Sequence, residues 1–398
     1  MARLAGLLGT TYNRDLVDPA DVVAPPYDVV GPSERAELAA RSPYNSILVE
    51  LPEDPSGGDK YEHAAALWRR WHDEAVVQIA TEESLYAYRM TFTEEDGSTR
   101  TTRGVLGALG LDPGHTGEVL PHEQTISKDK HDRLSLLRAT RTNFSPIWGL
   151  SLATGLGELC EVAIKGAGEP YRATDEAGAV HECWAVTDRA VIAGMVELVG
   201  TAPVLIADGH HRYETACAYS EEQPGSRGAG AVLALVVELS EEELAVQAIH
   251  RLLTGVDPAT LPSQLGQSFE VSPGPRDPIE LRDAMAGAGA LGLLVAGAGY
   301  LLVPRPNLLE EADDDLDSTR LARALEQVPE AEVAYQHGAL EAARAVVEGR
   351  ADAAVLLRPV TVEQIARTAH GGRRMPPKST FFYPKPRTGM VFRELDAG

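Results

Sequence analysis

The stretch ADGHHRYETA, residues 207–216, follows the apolar run APVLI and places Asp208, Gly209, His210, His211 and Arg212 in a row. A strand ending in Asp-Gly ahead of a helix sets Asp208 at or near the N-cap, and Gly209 lets a ligand approach the backbone closely. Open N–H groups at a helix start attract anions, phosphate above all, and Arg212 would add a permanently charged bidentate contact. Consecutive histidines on a helix point about 100° apart, so His210 and His211 are poorly placed to chelate one metal together. One of them is instead a candidate acid, base or phosphate donor, as is Asp208 for orienting a hydroxyl. If the run serves a ligand alone, Arg212→Ala abolishes binding and leaves the melting temperature nearly unchanged.

Two further clusters have comparable chemistry. PHEQTISKDKHDR (121–133) gathers His122, Glu123, Thr125, Lys128, Lys130, Asp132 and Arg133. Glu123 and Asp132 are candidates to hold Mg²⁺, His122 and Glu123 are candidate acid–base groups, and Thr125 with the cations suits phosphate. The eight residues between His122 and His131 match no standard zinc spacing. MPPKSTFFYPK (375–385) offers Lys378, Ser379 and Thr380, a lysine and two hydroxyls that suit phosphate without the GxxxxGK pattern of a Walker loop. PPYDVV (25–30) and the pair His250–Arg251 in IHRLL are weaker candidates, since each alone is more often structural.

Taken together, APPYDVV, PHEQT…KDKHDR, TNFSPI, IADGHHRYETA, IHRLL and MPPKSTFFYPK resemble the ordered blocks of the domain of unknown function 1015 family. Its members often carry a SpoOJ/ParA/ParB/RepB-like label, which is not itself an activity. The DGHHR element is similar to the G-x-H-R signature of the ParB/sulfiredoxin superfamily. That resemblance implies an α/β nucleotide-handling core in which this turn binds phosphates. Sulfiredoxins have a catalytic Cys where His210 stands here, which argues against sulfinate reduction. Partition proteins add a basic helix-turn-helix domain that this chain lacks. The kinases of free serine, which use a nucleotide and Mg²⁺ on this fold, are the relatives in motif that remain.

The elements that must position these residues are those of an α/β (α+β) protein. KYEHAAALWRRWHDEAVV has helical spacing, SLYAYRMTFT and TRTTRGVLGALGL read as a hairpin, and APVLIAD reads as a buried strand leading into the helix HHRYETACAYSEE. SILVEL reads as a strand, and a helix is expected from Ser33 as N-cap. The uncharged stretch 284–304 reads as two strands joined by a turn and not as a membrane span. With 398 residues, two units are expected: a ParB/sulfiredoxin-like domain over 1–255 and a C-terminal α/β domain over 256–398, whose KST tail returns to the first. The acidic run EEADDDLDS reads as solvated loop.

A net charge of −23 disfavours nucleic-acid binding, because phosphate backbones are repelled. Three dispersed cysteines and the absence of a signal-like N-terminus suit a reduced, cytoplasmic protein. The reading these features favour is a phosphoryl-handling enzyme acting on a small hydroxylated metabolite, with Mg²⁺ and ATP or ADP as cofactors. It covers a kinase of free serine and a phosphoserine phosphatase. The alternative is a ParB-like switch that binds CTP or ATP without a DNA-binding domain.

Overall fold

The computed structural model describes every residue except 55, 95–96, 115, 122–126, 307, 309–314, 371–374, 377 and 398. The α/β class expected from the sequence is what the chain shows, divided into two compact units. The first comprises Met1–Ala245 together with Pro384–Gly398, and the second comprises Val246–Tyr383. Among the described residues no helix is long and apolar enough to cross a membrane.

The first unit is built on a nine-stranded mixed sheet. Its main path runs Val119–Pro121, Val204–Asp208, Ile147–Ser151, Ala231–Glu238, Thr99–Gly110, Leu85–Thr93, Val180–Val186, Tyr171–Thr174, and Leu4–Ala5 pairs with Thr99–Gly110. Helices Leu156–Gly166, Arg189–Gly200 and His210–Glu222 send Leu156, Cys160, Met195, Val199, Tyr213 and Ala216 into the core with strand residues such as Val204, Ile206, Ala234 and Val236. The alternate residues 204, 206 and 234, 236 show the two-residue strand period that gives one face to these helices.

Two local expectations fail for identifiable reasons. SILVEL forms the short helix Ile47–Glu50. There the Asn45 side chain accepts the Ile47 N–H at 3.0 Å and turns the chain before its β-branched residues can extend. The next helix signal is also shifted: Pro32–Arg41 starts on Gly31, with Pro32 in the first turn, where the missing N–H costs nothing.

Residues 384–398 close the first unit. Phe392 and Thr10 exchange backbone hydrogen bonds at 2.8 and 3.0 Å, Ala24 and Thr388 do so at 3.0 and 2.9 Å, and Arg393–Glu394 pairs with Thr142–Asn143. The Phe392 ring is fully buried and meets Trp68, Tyr12 and Phe144 edge-on, at centroid separations of 4.9, 5.4 and 5.9 Å.

The second unit has a six-stranded antiparallel sheet in the order Phe269–Gly274, Ala298–Pro304, Leu291–Val295, Ala353–Leu356, Ile249–Thr254, Glu332–His337. Leu291–Val295 and Ala298–Pro304 are the hairpin expected within 284–304. Successive residues serve opposite faces. Leu252, Leu294 and Leu356 pack with helices Pro278–Ala288 and Ala339–Val347. Leu253, Leu293 and Val355 pack with Leu261–Leu265 and Asp317–Leu325.

All four tryptophans, Trp68, Trp71, Trp148 and Trp184, belong to the first unit, so indole fluorescence reports its unfolding alone. Phe392→Ala is expected to cost that transition about 3–5 kcal/mol, read from urea titrations of tryptophan emission. A loss below about 1 kcal/mol would show that the C-terminal segment is an appendage to this unit.

Candidate functional site

The Asp-Gly-His-His-Arg run sits where strand Val204–Asp208 gives way to helix His210–Glu222. Against Ile147–Ser151 the register passes from Ile206↔Gly149 to Asp208↔Trp148, so Ala207 is the extra residue of a β-bulge. A bulge re-aims the next side chain, here Asp208. Gly209 is the N-cap residue, in left-handed conformation at φ 88°, and it offers the helix start no side-chain cap. A Cβ at Gly209 would stand 3.0 Å from Arg212 Nε and 3.0 Å from Ile147 Cγ2. The expected close approach at this glycine is therefore made by the chain's own guanidinium.

Arg212 is buried and heavily engaged. Its Nη1 donates to the Pro146 carbonyl, and its Nη2 lies 2.6 Å from Asp208 Oδ2 and 3.5 Å from Asp28 Oδ2. Its Nε is buried without a hydrogen-bond partner among the described residues. Lys385 Nζ bonds Asp208 Oδ1 and stands 3.9 Å from Asp28 Oδ1, so two cations and two carboxylates close a ring. Burial alone would raise the Asp208 carboxyl; Lys385 and then Arg212 reverse this and hold it well below the usual carboxylate range. Asp208 is thus a fixed charge and a weak base.

The second cluster joins this ring through Tyr27. The Arg133 guanidinium lies 4.1 Å from the Tyr27 ring centroid and the Arg212 guanidinium 5.9 Å from it. Arg133 Nη1 donates to the Glu50 carbonyl at 2.6 Å and is 3.7 Å from Glu50 Oε1. Asp132 accepts from Lys60 at 2.6 Å, Tyr61 at 2.9 Å and Arg133 Nε at 2.9 Å. Burial opposes ionisation there, but Arg133, Lys60 and Tyr61 bring the carboxyl down to about 2. A cavity of ≈ 50 Å³, room for a few waters, is lined by Glu50, Arg133, Ser145, Arg212 and Thr215 among others. Glu50 is fully buried, and desolvation keeps its pKa above the ordinary value against the pull of Arg133 and Arg212.

The sequence candidates therefore divide. Asp208, Gly209, Arg212, Asp132 and Arg133 come together in the first unit, with His210 buried and His211 half-buried at the same helix start. Lys128 and Lys130 lie on helix Ser127–Thr140. His122, Glu123 and Thr125 fall outside the described residues. Among the described residues no three His, Cys, Asp or Glu cluster as metal ligands.

His250, Arg251, Lys378, Ser379 and Thr380 belong to the second unit. There His250 Nδ1 accepts the Leu357 N–H at 3.2 Å, and burial pushes its pKa down to about 4. Arg251 Nη2 donates to the Lys378 carbonyl at 3.0 Å, and Ser379 Oγ donates to the Pro376 carbonyl at 2.7 Å.

The residues alone do not single out Glu50 or Lys385, and they give Tyr27 and Asp28 only the weaker standing of PPYDVV. Their signals were faint but present. Tyr27 and Asp28 follow two prolines, Lys385 closes MPPKSTFFYPK, and Glu50 is the one charged residue of SILVEL.

This geometry overturns the expectation that Arg212→Ala leaves stability untouched, because it strands Asp208 beside a single remaining close cation. The substitution is expected to cost about 3 kcal/mol in the tryptophan-monitored transition. Arg212→Lys should recover part of that loss without restoring a forked donor.

The chain is similar to a conserved hypothetical protein from Pyrococcus furiosus, at 15% identity over 71% of this chain and 91% of that one, with a TM-score of 0.37. It is similar to a free serine kinase solved in complex with AMP, at 15% identity over 73% and 89%, with a TM-score of 0.37. It is also similar to C-terminally truncated SbnI from Staphylococcus aureus, at 12% identity over 71% and 85%, with a TM-score of 0.40. A search of curated proteins finds no match. The family model described as "Protein of unknown function (DUF1015)" matches residues 6–330, which is most of the chain and takes in the whole Asp208 ring except Lys385, so the chain belongs to that family.

Proposed function

We propose that the first unit transfers a phosphoryl group between a nucleotide and the hydroxyl of a small metabolite, with free L-serine as the first acceptor to test. The observation that carries this reading is Arg212. A guanidinium buried at an uncapped helix start, with Nε unpartnered among the described residues, is suited to an anion that adds to the contacts already made. Gly209 and the first turn of the helix would share that anion.

Charge balance narrows the ligand. Arg133, Arg212, Lys385 and Lys60 face Asp28, Glu50, Asp132 and Asp208, so the described network has no cation to spare. A nucleotide accompanied by Mg²⁺ fits such a network better than a bare phosphate. Mg²⁺ would neutralise phosphate charge; Glu123 is the carboxylate proposed for it, while Asp132 already has three donors. Lys128 and Lys130 are the cations proposed for the remaining charge. ATP and ADP are both candidate donors.

Glu50 is proposed as the base that accepts the hydroxyl proton. Burial raises its pKa toward working pH, which improves a carboxylate as a base, whereas Asp208 is held too acidic for that role. Asp208 and Asp28 fix Arg212 and Lys385, so that charge developing in phosphoryl transfer meets preorganised cations. The same constellation with water as nucleophile would make a phosphatase, with His210 or His211 as acid or as transient phosphohistidine.

Phosphorus NMR of the purified protein with Mg²⁺, ATP or ADP and L-serine is expected to show a new phosphomonoester as nucleotide is consumed. Glu50→Gln should lower kcat by about 10²–10⁴-fold with Kd for nucleotide little changed. Only ionised Glu50 accepts the proton, so wild-type activity should fall as pH drops through its raised pKa, and the variant should lack that limb. Free phosphate from phosphoserine alone would identify the phosphatase form. Nucleotide binding by calorimetry with unchanged spectra would replace the enzyme reading with the switch.

A further inference from the structure

A second cavity in the first unit, of ≈ 360 Å³, lies apart from the Asp208 ring. It falls in the size range of small-molecule sites. Its walls on the sheet come from Val180–Val186 and its neighbours, five strand positions along the sheet from Val204–Asp208. At ~4.8 Å per strand that is roughly 24 Å away.

Four aromatic side chains line it: Tyr12, Tyr86, Tyr171 and Trp184. Three of their polar atoms are committed to the protein. Tyr12 donates to the Tyr44 carbonyl at 2.7 Å, Trp184 donates to the Gly168 carbonyl at 3.1 Å, and the Tyr86 hydroxyl is held by the Gly9 backbone. The Tyr171 hydroxyl is buried without a partner among the described residues. So the walls present ring faces and edges, which favour a planar apolar group.

The cavity also has one charge of each sign. Arg14 and Glu169 both line it, and both are exposed. Among the described residues, neither forms an ion pair with the other or with any third group; Arg14 spends one nitrogen on the Pro170 carbonyl at 2.8 Å. Opposite charges held apart over one aromatic cavity match a ligand with a carboxylate and an ammonium above a ring. We infer that this cavity binds a free aromatic amino acid, its α-carboxylate toward Arg14, its α-ammonium toward Glu169 and its ring among the aromatic walls.

The test is calorimetry on the full chain without nucleotide, so its outcome is independent of phosphoryl transfer. The probes are L-phenylalanine and L-tryptophan, with L-alanine, 2-phenylethylamine and 3-phenylpropionate as analogues lacking the ring, the carboxylate and the ammonium. The two aromatic amino acids are expected to bind, with each analogue about tenfold weaker or more. Arg14→Met should reduce L-phenylalanine to the affinity of 2-phenylethylamine, and Glu169→Gln should reduce it to that of 3-phenylpropionate. Ala167→Trp, at a half-buried wall position, should abolish binding with the tryptophan-monitored unfolding transition intact. Absence of binding by both amino acids, singly charged analogues that bind as tightly as the amino acids, or unchanged binding in Ala167→Trp would each overturn the inference.

Discussion

Burying charge is the constraint on which the rest of the first unit depends. Asp208 and Arg212 are both largely withdrawn from water, and each relies on opposite charges around it, Lys385 and Arg212 for the carboxylate and Asp28 and Asp208 for the guanidinium. Their partners come from chain segments far apart in sequence: Asp28 from an N-terminal turn, Pro146 from the start of a central strand, and Lys385 from the returning C-terminal segment. Each supplies something the pair cannot supply itself. The network therefore sets which loops must meet, and the apolar layers behind it fix where they meet. An apolar replacement of similar volume would satisfy the same packing, so retaining so many charges costs stability that a purely structural turn would not require.

The backbone beneath this network is arranged to aim it. The bulge at Ala207 advances the strand by one residue, and left-handed Gly209 turns it sharply into the helix. Without the bulge, Asp208 would face the opposite side of the sheet, since strand side chains alternate. With any side chain at 209, Arg212 and Ile147 would have to give way by a few tenths of an ångström, and the left-handed backbone would be strained. Two backbone irregularities thus do what side-chain identity alone could not.

Much of this was legible in the sequence, and the reasons are local. The strand-to-helix transition at 204–222, the hairpin at 85–110 and the hairpin at 291–304 all follow from periodicity and turn residues. A C-terminal tail that returns to the first unit was expected, but its bounds were not legible in the same way, because Phe392 and Arg393, which hold the final segment, have partners hundreds of residues earlier. Glu50 was hidden for a related reason. An apolar run with one acid at its end reads as a strand, and only the Asn45 turn and the approach of Arg133 give that acid a role. Lys385 lies in MPPKSTFFYPK, where Lys378 beside two hydroxyls is the more conspicuous lysine, yet the Lys378 backbone carbonyl serves Arg251 in the other unit. Residue type marked the right neighbourhoods, and long-range packing chose the members.

The interruption of the first unit by the second has a consequence during biosynthesis. Strands and helices up to Ala245 leave the ribosome long before Phe392 and Lys385 exist. At roughly 5–20 residues per second, the nascent chain spends on the order of ten seconds with an aromatic cleft uncovered and Asp208 short of a counter-ion. Over that interval the exposed edge beside Thr10 is open to other extended peptides, and folding helpers have a defined window in which to shield it.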